Sequence, residues 1–177
     1  MPIDIIRRGL DFAARDYMGI SKTEPFDVKP KEDQIKCGLY RALAEANFLV
    51  HVEAACPRAA LARNGARCDL LAIKRDKRIA IEIKTAWAAD GWVNKPEEQA
   101  TAWEKDIAKL RALHEQKFAD AGLFVLCLAF QAPSRAAEQL REKIIQIVGD
   151  KNVVGPFGIQ TWRRLNNVQF FVSRVFG

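Results

Sequence analysis

Apolar and polar residues alternate most regularly over residues 67–87, RCDLLAIKRDKRIAIEIKTAW. A period of two predicts two strands, joined here by a charged turn at residues 74–78. Side chains alternate faces along a strand, so the three isoleucines of the second strand would share one face and Glu82 and Lys84 the other. The pattern thus places an acid and an amine side by side, opposite an aliphatic face.

Apolar residues at helical spacing predict four helices around this hairpin. The predicted ranges are residues 4–18, a second helix that Pro30 opens, residues 96–118 and residues 134–148. Glu32 lies on the apolar stripe of the second helix. It is either an acid that favours the helix dipole or a cleft residue, and its position alone does not decide between them. Asp106, on the third helix, could face a cleft, but we expect it to face solvent.

The remaining apolar runs predict further strands at residues 48–55, 121–130, 153–162 and 168–176. Residues 121–130, AGLFVLCLAF, are apolar throughout, which is typical of a central strand buried on both faces. The order α-α-β-β-β-α-β-α-β-β predicts an α/β fold with a central mixed β-sheet flanked by helices. A chain of 177 residues is most simply one domain, residues 1–177.

The formal charge of +6 favours an anionic partner such as nucleic acid. Basic residues most outnumber acidic ones in residues 58–78. This segment is either a DNA-binding surface or a solvated loop and hairpin tip. The candidate phosphate contacts are Arg58, Arg63, Arg67, Lys74 and Arg75.

The four cysteines show no C-x-x-C spacing, which argues against a zinc ribbon or a dithiol redox motif and favours reduced thiols. The N-terminus lacks the apolar run of a signal peptide, and no segment has the length of a membrane span. We therefore expect a cytoplasmic protein without a membrane partner.

An acid-x-Lys tripeptide occurs three times, but only Glu82-Ile83-Lys84 falls on a predicted interior strand. Asp69 and Glu82 could give Mg²⁺ two carboxylates, and the carbonyl of Ile83 a third oxygen. Glu32 could bind through water or hold a second ion. Lys84 would orient the attacking water or offset charge on a phosphate. These residue types suit phosphodiester hydrolysis.

These residues resemble the PD-(D/E)xK nuclease superfamily, which has a restriction-endonuclease-like fold. That family has an αβββαβ core with an acid on a helix, an Asp on the second strand and (D/E)-x-K on the third. Glu32, Asp69, Glu82 and Lys84 match those positions, and the resemblance covers about residues 31–130. The Pro that precedes the family's Asp is replaced here by Cys68.

The resemblance implies a Mg²⁺-dependent endonuclease acting on DNA, with Mn²⁺ as a possible substitute. Many such enzymes are homodimers, for which the apolar final strand ending at Phe176 offers an interface. Three alternatives stay open: a surface ion-pair ladder, an inactive nuclease-like module that binds nucleic acid or a protein, and an α/β domain unrelated to nucleic acid. The sequence does not distinguish DNA from RNA, or duplex from branched or single-stranded substrates.

Overall fold

The computed structural model describes residues 3–23, 31–57, 66–88, 96–130, 135–160 and 167–177. The helices in these ranges are α1 (Ile3–Thr23), α2 (Glu32–Glu45), α3 (Pro96–Glu115) and α4 (Arg135–Val148), followed by a short 3₁₀ turn (Asp150–Asn152). The strands are β1 (Leu49–Ala55), β2 (Arg67–Lys74), β3 (Lys77–Ala88), β4 (Ala121–Phe130), β5 (Val153–Gln160) and β6 (Asn167–Phe176).

The strands form one mixed sheet in the order β1-β2-β3-β4-β6-β5, in which β3 and β4 are parallel and the other neighbours antiparallel. The predicted α/β fold is therefore confirmed, and the elements from α2 to β4 follow the order αβββαβ. The end of the first helix, predicted at Met18, was wrong, because α1 continues to Thr23. A single glycine weakens a helix without ending it.

The sheet has an apolar core on each face. On one face, Ile81, Ile83 and Val125 pack with buried side chains of α1 and α2. On the other, Phe124 and Leu126 pack with α3 and α4. Strand β4 is buried on both faces, as its continuous apolar sequence predicts. The acidic residues of β2 and β3 thus stand on a central layer that is packed from both sides.

The apolar residues of the final strand, which we considered as a dimer interface, lie mostly inside the sheet. Strand β6 lies between β4 and β5, so its apolar residues serve the core and the edges of the sheet are β1 and β5. Phe176 stacks on His114 of α3, with 4.4 Å between ring centroids. The apolar composition of β6 reflects its interior position.

The hairpin of β2 and β3 opens at the end that carries the acids. Their ladder runs from Lys74↔Lys77 at the turn to Leu70↔Ile81. Beyond that pair, β3 continues beside β4 as far as Ala88. The sheet therefore splits next to Asp69, and the split leaves room for side chains from α2 and α3.

Gly38 sets the distance between α1 and α2. A Cβ at this position would meet the carbonyl oxygen of Gly9 and lie 2.9 Å from the backbone nitrogen of Ala13. We expect Gly38→Val to lower the free energy of unfolding by about 1–3 kcal/mol, the usual cost of overpacking. Urea denaturation measures this, with Ala44→Val on the exposed side of α2 as the control. Equal stability of the two variants would contradict the prediction.

Candidate active site at the split between β2 and β3

The side chain of Asp69 connects β2 to β3 beyond the last backbone pair of the two strands, Leu70↔Ile81. Its Oδ2 accepts a hydrogen bond from the backbone N–H of Ile83, with 2.7 Å between the heavy atoms. Its Oδ1 lies 3.3 Å from Nζ of Lys36 on α2. One oxygen therefore fixes the carboxylate to β3, and the other faces a cation.

Glu82 is buried on the face of the sheet covered by α3. Its side chain is 2% exposed, and Lys109 Nζ lies 2.7 Å from Oε1. Lys109 is thus the ion-pair partner of this buried oxygen. Burial raises the pKa of Glu82 to about 8, although the charge of Lys109 opposes the shift. Glu82 is thus a carboxylate whose charge is incompletely compensated.

Lys84 lies between two acids. Its Nζ is 3.8 Å from Oε1 of Glu32 and 3.5 Å from Oδ2 of Asp106. Burial disfavours the ammonium, but the carboxylates of Asp106 and Glu32 outweigh this and raise the pKa of Lys84. Burial also raises the pKa of Glu32, against the opposing charge of Lys84. Lys84 therefore stays charged at neutral pH.

Three residues that sequence reasoning missed complete the site. Lys36 forms ion pairs with Glu53 of β1 and with Asp69, and Lys109 reaches Glu82 from α3. Asp106 was expected to face solvent, and this was wrong, because its side chain is 19% exposed and contacts both Lys84 and Lys109. The spacing from Asp106 to Lys109 does place both on one helix face, but it cannot reveal what that face covers.

The structure brings all four sequence-predicted residues to one end of the sheet. Asp69, Glu82, Glu32 and Lys84 lie around the split, within a network in which each carboxylate has a lysine within 4 Å. Among the described residues, no three metal-ligating side chains converge on one point. The donor chemistry still fits a hard cation, because Asp69 and Glu82 supply two carboxylates and carboxylate oxygens are the ligands Mg²⁺ prefers.

The predicted nucleic-acid contacts divide between the two ends of β2. Arg67 is exposed at the end near Asp69, whereas Lys74 and Arg75 lie roughly 23 Å along the strand at the hairpin turn. Lys74 donates a hydrogen bond to the carbonyl of Ala46 at 2.8 Å. A cavity of about 570 Å³ at that end is lined by Lys74, Arg75, Lys77, Arg78 and Asp120, among others. Arg58 and Arg63 lie outside the described residues.

Two thiols lie beside the site. All four cysteines are free, and Cys56 accepts a hydrogen bond from Cys68, the residue before Asp69. This bond lowers the pKa of Cys56 to about 7, against the effect of burial. Cys68 is fully buried, so Cys56 is the more reactive thiol of the pair.

Comparisons with known proteins leave the function to be inferred from this geometry. The chain matches no protein-family model, and no curated protein and no solved structure matches it. None of the helices in the described ranges has the length and apolar character needed to span a bilayer.

Proposed function

We propose that this protein is a metal-dependent nuclease that hydrolyses DNA phosphodiester bonds with a metal-activated water. The observation that carries the proposal is the grouping of Asp69, Glu82 and Lys84 where β2 and β3 separate. Asp69 is fixed there by the Ile83 N–H, and Glu82 is a buried carboxylate paired with Lys109. Residues of these types at one split suit phosphoryl transfer to water.

Asp69 and Glu82 would hold Mg²⁺, or Mn²⁺ in its place, with the carbonyl of Ile83 as a further oxygen and Glu32 acting through water. When bound, such an ion polarises phosphate oxygens and lowers the pKa of water. Lys84 would stabilise the negative charge that builds on the phosphate, because its ammonium is held at the site between Glu32 and Asp106.

DNA is the proposed substrate because the chain has a formal charge of +6 and exposes Arg67 beside the site. Contacts to phosphate should make binding weaken steeply as salt rises. Reduced thiols fit a cytoplasmic enzyme.

The test is cleavage of supercoiled plasmid and branched DNA by the purified protein in Mg²⁺, Mn²⁺ or EDTA. We expect nicked or linear products with either metal and none in EDTA. Absence of cleavage with both metals, over a range of pH and salt, would refute the nuclease proposal.

A second candidate is an inactive nuclease-like module that binds nucleic acid. The pairing of Asp69 with Lys36 and of Glu82 with Lys109 favours it, since each acid has a lysine partner without a metal. An electrophoretic mobility shift separates the two: binding of DNA without cleavage supports this module.

A further inference from the structure

Two cysteines that the proposed cleavage does not use lie next to each other beside the split. Cys68 is on β2, where it pairs with Ala54 of β1. Cys56 directly follows β1, and its backbone N–H donates to the carbonyl of Ala66 at 2.9 Å, so the register of the two strands continues. In this register Cys56 is the diagonal neighbour of Cys68 on one face of the pair. Their thiols are in hydrogen-bond contact, so the two sulfur atoms already lie side by side.

The two thiols differ in access to solvent and in reactivity. Cys68 is fully buried, whereas Cys56 is half-buried at the margin of the core that α3 covers. The hydrogen bond from Cys68 and the charge of Lys109 both lower the pKa of Cys56, to about 7, against the effect of burial. The ammonium of Lys109 is held nearby, since it donates to the carbonyl of Arg67 at 3.0 Å. An accessible thiolate beside a second thiol is typical of redox-sensing cysteines.

The other two cysteines lie on different elements and provide comparisons. Cys127 is buried in β4, and burial raises the pKa of its thiol, so it should be inert. Cys37 is exposed on α2. It shares accessibility with Cys56 but lies on a helix, apart from the strand pair that carries Cys68. Replacement of Cys37 is therefore a matched control for replacement of Cys56.

We propose that Cys56 and Cys68 are a peroxide-sensitive thiol pair, which oxidation joins in a disulfide that displaces Asp69 and slows DNA cleavage. The effect on cleavage rests on the proposed function. The thiol chemistry does not, because it depends only on the contact between the two sulfur atoms.

Hydrogen peroxide is the two-electron oxidant. The thiolate sulfur of Cys56 attacks one peroxide oxygen, the O–O bond breaks, hydroxide leaves, and Cys56 becomes a sulfenic acid. The sulfur of Cys68 then attacks the sulfenic sulfur, the S–O bond breaks, and the Cys68 proton leaves with the sulfenic OH as water. The two thiols are oxidised to a disulfide and the peroxide is reduced to water. A small dithiol reverses the reaction by thiol–disulfide exchange.

The disulfide would act on the site because Cys68 is bonded to Asp69 through the backbone. An S–S bond is about 2.05 Å long, much shorter than a hydrogen-bonded contact between thiols, so the sulfur atoms must approach each other. Asp69 is fixed from the other side, where its carboxylate accepts the Ile83 N–H at 2.7 Å. A movement of β2 toward Cys56 therefore strains or breaks this bond. A misplacement of about 1 Å at a reacting centre can cost about 100-fold in rate.

The experiment treats the reduced protein with hydrogen peroxide, blocks the remaining thiols and maps disulfides by mass spectrometry. We expect a Cys56–Cys68 disulfide, faster hydrogen exchange at the Ile83 amide by NMR, and cleavage slowed by about 10- to 100-fold. Dithiothreitol should reverse all three changes. Cys37→Ser should respond to peroxide as the wild type does, whereas Cys56→Ser should keep its rate of cleavage after the same treatment.

Cys68→Ala is the second variant, because it keeps the reactive thiol and removes its partner. Its Cys56 should accumulate as the sulfenic acid, which dimedone traps. Absence of the disulfide from the oxidised wild type would overturn this inference alone, as would a disulfide that leaves cleavage unchanged or equal loss of cleavage in Cys56→Ser. A reduced protein that cuts no DNA, but in which oxidation still forms the disulfide and speeds Ile83 exchange, would overturn the proposed function and leave the thiol pair supported.

Discussion

Asp69→Asn is expected to lower the rate of metal-dependent DNA cleavage by about 1,000-fold. Asparagine keeps an oxygen that can accept the Ile83 N–H, so the split between β2 and β3 should survive. It loses the negative charge that would hold the cation and instead presents an amide toward Lys36. Loss of about 4 kcal/mol of metal-dependent stabilisation corresponds to this factor. Single-turnover cleavage at saturating Mg²⁺ measures it.

Asp33→Asn is the matched control for this variant. Asp33 also lies near Lys36, at 3.7 Å, but its side chain is 86% exposed and it lies outside the split. The control should cleave at the wild-type rate and show the same thermal midpoint. Cleavage by Asp69→Asn at the rate of the control would exclude Asp69 from the reaction. If, in addition, the activity did not follow the protein through purification, the cleavage would come from a contaminating nuclease.

The residues on β2 and β3 could be predicted because strand geometry is local. Alternation along a strand fixes the face of each side chain, so Glu82 and Lys84 had to lie together whatever else the chain did. The run of apolar residues in β4 likewise required burial on both faces. Glu32 joined them because its helical stripe faces the sheet.

The ion-pair partners of these residues depend on how the helices pack against the sheet. The spacing of apolar residues along a single helix does not show which residues of other elements it will contact. Lys36, Asp106 and Lys109 lie on helices with ordinary charged surfaces, and only packing against the split gives them carboxylates to contact. The division of the basic run between two places in the structure has the converse reason. An extended strand carries neighbours in sequence far apart, so Arg67 and Lys74 stand at opposite ends of β2.

The free energy of unfolding without metal should fall as pH rises, and Glu82→Gln should remove much of this fall. The pKa of Glu82 is raised from its ordinary 4.5 to about 8 in the folded state, so the folded protein holds this proton more tightly than the unfolded chain. The folded state is therefore favoured at low pH, and that advantage is lost between about pH 4.5 and pH 8. At about 1.4 kcal/mol per pH unit, the loss by pH 8 is about 3–5 kcal/mol.

The glutamine side chain of this variant stays neutral at every pH, so Glu82→Gln should match the wild type near pH 4.5 and be more stable at pH 8. The raised pKa of Glu32 shifts both proteins in the same direction and cancels in the difference. The lysines of the site have raised pKa values too, but they titrate above this window. Urea denaturation in EDTA from pH 4.5 to pH 8 measures the difference, with Glu104→Gln as the control. Parallel curves for the wild type and Glu82→Gln would contradict the prediction.

Addition of Mg²⁺ at pH 8 extends the same comparison. A cation bound at Glu82 would stabilise the ionised carboxylate that burial disfavours, and a ligand that binds the folded state alone raises its stability by mass action. Mg²⁺ should therefore raise the free energy of unfolding of the wild type and leave that of Glu82→Gln nearly unchanged. Ionisation of Glu82 lowers the stability of the wild type as pH rises, and Mg²⁺ bound to the same carboxylate should raise it again. Both effects act on the one buried charge of Glu82.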